Sequence, residues 1–152
     1  MLNIKILTIG KNSEKSLDKY FTDYISKTPW NIETIEIKSK KIKNISEREA
    51  LEGKKISKLV GGNGCLVALE ENGIQISSKD FSKKLYEWQY RGIDVFFLIG
   101  GPNGLSQEMK KKANLILSFG KMTWPHKLVK ILLSEQLYRA STILNKHPYH
   151  RE

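Results

Sequence analysis

The chain is 152 residues long and basic: 26 Lys and Arg stand against 16 Asp and Glu, a formal charge of +10 at pH 7. That length suits one domain, residues 1–152, with a sizeable core, and 39% apolar with 28% charged residues is a globular composition. No apolar run approaches the roughly 18–20 residues that cross a bilayer, no secretory leader pattern opens the chain, and one cysteine can form neither an internal disulfide nor a cysteine-based zinc site; a cytoplasmic protein is expected.

From the first residues, NIKILTIG alternates apolar with polar and predicts a strand. EKSLDKYFTDYISK places Leu17, Phe21, Tyr24 and Ile25 at helical spacing. IETIEIK alternates again, and SEREALEGKKISKLV returns to a helical period, with Ser46 and Glu49 in the pattern of a capping box. CLVALE is a continuous apolar run, as expected of a strand covered on both faces, with Cys65 as a buried small hydrophobe. SKDFSKKLYEWQYRG predicts a helix stopped by Gly92. DVFFLIGG is a second buried strand, SQEMKKKA a short helix, and LILSFG a fifth strand. The last helix is expected to start at Pro125, a residue suited to the first helical position, and to fade near Lys146. Strand and helix alternating in this way predict a single-domain α/β fold, a mostly parallel sheet with helices on both faces.

In such sheets ligands sit beyond the carboxyl ends of the strands, which directs attention to GGPNG after the fourth strand and GKMTWPH after the fifth. Glycines in the first allow backbone to approach a ligand closely, although the spacing is neither a dinucleotide fingerprint nor a P-loop. In the second, Trp124 before Pro125 is pushed out of the helical region, making a sharp corner with free amides and the apolar walls of Met122 and Trp124. The final helix is apolar around much of its circumference, wider than the stripe of a surface helix, so a homodimer is expected. His126, His147 and His150 form no convincing metal set. The positive charge favours a polyanion, with Lys38–Lys43 and Lys54–Lys58 as candidate RNA contacts and Lys110–Lys112 as a further patch.

FLIGGPNGLS, followed in order by MTWPHKLVKILLSEQLYRA and NKHPYHRE, gives the chain an identity: it resembles the bacterial pseudouridine-N3 methyltransferases of large-subunit ribosomal RNA, in the SPOUT (α/β-knot) class. The resemblance spans the whole chain and is most specific in the last third. It implies a C-terminal trefoil knot, a homodimer, S-adenosylmethionine (S-adenosyl-L-methionine) as cofactor with no metal, and methylation of N3 of a pseudouridine in 23S ribosomal RNA within the assembled ribosome. Transferred by position, it implies a cofactor pocket at Leu69, Gly101, Gly120, Lys121, Met122, Thr123, Trp124 and Pro125. For the catalytic step the tail is expected to supply Tyr149, His150 and Arg151: a nitrogen that carries a proton must lose it before attack, and a base or a cation lowers that barrier. Departures are modest. Trp124 stands where Leu or Phe is frequent, Asn103 where an acid is common, and Lys130 replaces a frequent arginine, which would weaken any phosphate clamp there. A non-catalytic RNA-binding protein, a nucleotide-binding α/β domain and a knotted enzyme of transfer RNA are the competing readings.

Overall fold

The computed structural model describes residues 1–38 and 42–152; Lys40 and Lys41 of the first lysine run lie outside the described residues. Five strands, β1 (Asn3–Ile9), β2 (Asn31–Ile37), β3 (Cys65–Ile74), β4 (Val95–Ile99) and β5 (Leu115–Leu117), form one sheet in the order β2-β1-β4-β3-β5. Every pairing is parallel, so the expected mostly parallel sheet is a fully parallel one. The helices are α1 (Lys15–Ser26), α2 (Ile45–Val60), α3 (Ser78–Tyr90), α4 (Gln107–Lys112) and α5 (His126–Leu144).

Alternation along the strands sends side chains to two cores. Ile4 and Ile6 of β1 join Phe97, Ile99, Val67 and Leu69 under α1, α3 and α5, which contribute Phe21, Leu85, Leu133 and Leu137. Leu7 faces the other way, with Leu66, Phe96 and Leu98, beneath Ile56 of α2 and Met109 of α4. β4 is buried along its whole length because it lies between β1 and β3 with helices above and below. That position explains why VFFLI shows no alternation.

Two boundaries differ from expectation. The cap of α2 is Asn44, whose side chain accepts from the Glu47 amide at 3.1 Å; Ser46 and Glu49 lie inside the helix, so the capping box does not form. Pro125 is the N-cap of α5 and not its first residue, with ψ at 136°. β3 also runs past the apolar CLVAL stretch to Ile74, through an irregularity between Leu69 and Ile74 that returns it to β5. The breadth of apolar surface on α5 is largely explained within the chain, since α1 and α3 flank it on the sheet. Cys65 is half-buried, and burial raises its thiol above the ordinary value.

Phe97 is fully buried and meets the Phe81 ring edge-on at 6.1 Å between centroids. Phe97→Ala is expected to cost about 3–5 kcal/mol, the range for removing a buried phenylalanine, read as a shift of the denaturant midpoint at unchanged slope.

Candidate active site

The carboxyl ends of β4, β3 and β5 are neighbours at one edge of the sheet, and a cleft of about 530 Å³ opens there. Leu69, Gly101, Gly120, Met122, Thr123, Trp124 and Pro125 line it. Lys121 does not: it is exposed and outside the wall. The two loops chosen from the sequence therefore meet at one place, with the end of β3 as the third side.

Glycine is required at two of these points for different reasons. A Cβ on Gly101 would stand 2.9 Å from the Ile9 carbonyl oxygen, so the loop after β4 can lie against β1 only without one. Gly120 has φ +119°, unfavourable for other residues, and a Cβ there would project into open space. The turn at Gly120 is braced by Ser118, whose hydroxyl oxygen accepts from the Gly120 amide (3.0 Å) and whose single proton is shared between the carbonyls of Glu71 (2.9 Å) and Gly120 (2.8 Å).

Sequence reasoning missed Glu70, Glu71 and Phe119 in this wall, which also holds His126 and Val129 at the end of the second loop and start of α5. Two glutamates directly after a buried strand run were the available signal for the first pair. Glu70 is paired with Lys110 at 3.6 Å, whereas Glu71 accepts a hydrogen bond from the Thr123 hydroxyl. His126 is steadied from the loop after β1: the buried Asn12 amide donates to its carbonyl at 3.5 Å.

A second cavity of about 500 Å³ lies between the N-terminus of α3 and α5, and Leu117, Phe119, Gly120 and Trp124 belong to the walls of both. Its polar side is one connected network. The Ser78 hydroxyl donates to Gln136 Oε1 (2.7 Å), Gln136 Nε2 donates to Glu135 (3.1 Å), and Arg139 donates to Glu135 through Nε (3.0 Å) and Nη2 (2.6 Å).

The tail docks on this network. After α5 the chain reverses at Lys146, which adopts φ 55°, and the His147 amide donates to the Thr142 carbonyl. Tyr149 then packs on Tyr138 with centroids 4.7 Å apart, lies under the Arg139 guanidinium at 4.8 Å, and donates its hydroxyl to Glu135 Oε1 at 3.0 Å. Arg139 Nη1 is 3.2 Å from His150 Nδ1. Arginine has no acceptor, so Nδ1 accepts and the imidazole proton is assigned to Nε2. Arg151 is exposed and makes no side-chain hydrogen bond or ion pair among the described residues, while Glu152 pairs with Lys79 on α3. None of the three tail residues lines the first cleft within its own chain. Among the described residues, no group of three or more His, Cys, Asp or Glu is placed to hold a metal ion.

The candidate RNA contacts sit elsewhere. Lys38, Lys43, Lys54, Lys55 and Lys58 are exposed, and Lys112 of α4 reaches Ser57 of α2 at 3.4 Å, so patches distant in sequence share the α2/α4 side. Lys130 is no phosphate clamp: it is 7% exposed, with Nζ 4.5 Å from the centre of the Phe21 ring.

These features define a class. A family model described as "Predicted SPOUT methyltransferase" matches residues 2–150. The solved ribosomal RNA small subunit methyltransferase E from Neisseria gonorrhoeae, bound to S-adenosyl methionine, shares the fold at TM-score 0.56 and 10% identity, over 94% of this chain and 66% of that one. Ribosomal RNA large subunit methyltransferase H from Acinetobacter baumannii (strain SDF) is 40% identical over 158 residues, and that from Bartonella tribocorum 37% over 159, each covering 99% of both chains. The chain belongs to the ribosomal RNA large subunit methyltransferase H family of SPOUT methyltransferases. No helix among its described residues is long and apolar enough to cross a membrane.

Burial, and then the hydrogen bond to Glu135, push the Tyr149 phenol up to about 12. The folded chain thus holds this proton more tightly than an unfolded one, whose tyrosine ionises near 10. The stability that this contributes is intact below about pH 10 and is lost as pH rises toward about 12. In Glu135→Gln the phenol should ionise closer to the ordinary value, seen as an earlier rise of phenolate absorbance in an alkaline titration and absent when Tyr149 is Phe.

Proposed function

We propose that the chain is a cytoplasmic, S-adenosylmethionine-dependent methyltransferase that methylates N3 of a pseudouridine in 23S ribosomal RNA on the assembled ribosome, as a homodimer with a C-terminal trefoil knot. The observation that carries this reading is the convergence of three strand ends and two glycine turns on one cleft, in a chain of this family.

The residues present fit the cofactor. Leu69, Met122, Trp124 and Val129 offer apolar walls, the turns at Gly101 and Gly120 bare backbone, and the Glu71 carboxylate a negative charge on one side. The open space beside Gly120 is where a bound group can press against main chain. When bound, S-adenosylmethionine supplies a methyl group already activated by a positive sulfur. The chain's own task is then to orient the two reactants and stabilise the base as it loses its N3 proton.

Apolar side chains around the cleft and tail support pairing with a second subunit: Met122 is 77% exposed, Trp124 43% and Tyr149 37%. Pairing would also bring a tail to the first cleft, which a chain's own tail does not line. Threading is supported by the intimacy of two segments, since a Cβ on Gly73 would stand 2.6 Å from the Ile116 carbonyl oxygen, and the Ser118 amide donates to Ile74.

Ribosomes from cells lacking the enzyme should gain one methyl on a pseudouridine of 23S RNA when incubated with the protein and S-adenosylmethionine, mapped by mass spectrometry of RNA fragments. A methyl found only on transfer RNA, or no uptake of S-adenosylmethionine by calorimetry, would end this reading. The double variant His150→Ala/Arg151→Ala should slow turnover by about 10²-fold or more, the scale of lost acid–base or electrostatic assistance. Its affinity for S-adenosylmethionine should stay within about threefold; unchanged turnover would remove these residues from the chemistry.

A further inference from the structure

The second cavity has so far no role in the reaction. We infer that it receives the pyrimidine to be methylated, and that Arg139 is the cation facing the carbonyl oxygens of that ring. The inference rests on the reading of the chain as a methyltransferase of a uracil-type base.

Position is the first argument. Methyl transfer requires the two reacting atoms to come within about 3–3.5 Å, so the acceptor must border the donor's cleft. The cavity of about 500 Å³ does so across a wall that both share, and within it Gly120 presents no side chain. A flat base slid into this cavity meets Phe81, Phe119 and Trp124 as apolar surfaces, suited to a ring drawn out of its stack.

The polar side gives the second argument. A guanidinium has five N–H donors. Arg139 spends Nε–H and one Nη2–H on Glu135 and one Nη1–H on His150. Two N–H groups remain without a partner among the described hydrogen bonds, on a side chain that lines the cavity. A uracil-type ring carries a carbonyl oxygen on each side of N3, and loss of the N3 proton spreads negative charge onto both. A fixed guanidinium fork is the side chain best matched to such a planar, delocalised anion. Glu135 is a poor proton acceptor here because its oxygens already take hydrogen bonds from Arg139, Gln136 and Tyr149. It acts as a positioning residue that fixes the guanidinium. His150 accepts at Nδ1 from Arg139 and so helps Glu135 to hold the guanidinium in place. In the step itself the N3–H bond breaks with its proton passing to water, the N3–CH3 bond forms, and the CH3–S bond breaks with its electron pair left on sulfur. Sequence reasoning placed Arg151 among three tail candidates without assigning separate roles; it is exposed, whereas Arg139 on the helix lines a cavity.

The test uses the full-length protein, ribosomes from cells lacking the enzyme, and single-turnover methylation. Arg139→Ala should lose about 10²–10³-fold in rate at saturating ribosomes, the usual loss for one donor to a developing anion. Arg139→Lys should recover part of it, and added guanidinium ion should raise the rate of Arg139→Ala by tenfold or more. Affinity for S-adenosylmethionine, measured by calorimetry, should change less than about threefold in each. Ser78→Phe, which obstructs the cavity and removes the Ser78–Gln136 hydrogen bond but none of those that Arg139 makes, should abolish transfer while the protein still takes up S-adenosylmethionine and still sediments with ribosomes. Turnover of Arg139→Ala within threefold of wild type, a loss that guanidinium leaves untouched, or full activity in Ser78→Phe would each overturn the assignment. Absence of any methyl transfer by the wild-type protein would instead sink the parent reading, and this one with it.

Discussion

Everything at the functional edge depends on β3 lying between β4 and β5 with all three strands parallel. Cys65 pairs with Val95 and Leu69 with Ile99 on one side, and Leu69 pairs with Leu117 on the other. This register sets the carboxyl ends of β4 and β5 level with Leu69, where β3 becomes irregular, so the loops after β4 and β5 and the irregular stretch of β3 must share a space. Parallel pairing requires crossovers, and the helices that provide them bury both faces of the sheet. The cleft is thus a by-product of the same hydrogen-bond ladder that builds the core. Its glycines answer local demands of that arrangement: Gly101 lets one loop lie against Ile9, and Gly120 turns the chain after β5 where no side chain would be comfortable.

A second level of order is laid on this edge by Glu135. One carboxylate gathers Arg139, Gln136 and Tyr149, and through Arg139 it also fixes His150. Exposed ion pairs contribute little, but these side chains are half-buried and linked, and linked networks constrain geometry more than isolated pairs do. The tail of a chain is ordinarily where order is lost. Here it is held by a tilted contact between two tyrosine rings, a guanidinium above one aromatic face, and a carboxylate at its phenol.

Much of this was legible in the amino-acid order. Period-two and period-3.6 patterns located the first two strands and the longer helices, whose apolar side chains face one core, whereas the strands buried on both faces were legible only as short continuous apolar runs. The two loops were legible because glycine frees the backbone and proline fixes it, each in a known way. Resemblance added Leu69 and the tail. What stayed hidden is long-range. Glu70 and Glu71 reach the cleft only because β3 continues past its apolar run and bends. The Asn44 cap was overlooked because Ser46 and Glu49 offered a better local pattern. Arg139 looked like any charged residue on a helix; its importance comes from the reversal at Lys146, which lays residues 149 and 150 back beside it. Lys130 was considered only as the weaker form of a phosphate clamp, and α1 instead places an aromatic ring against it.

The sheet also partitions the molecule. Lysines of α2 and α4 stand on one side, while both α3 and α5, with the docked tail, stand on the other. A large, rather flat polyanion meets only one of these sides at a time. Were the lysines to grip the proposed RNA while the opposite side reacts, either the substrate would have to bend around the strand-end edge, or one copy of the chain would have to anchor while a second reacts.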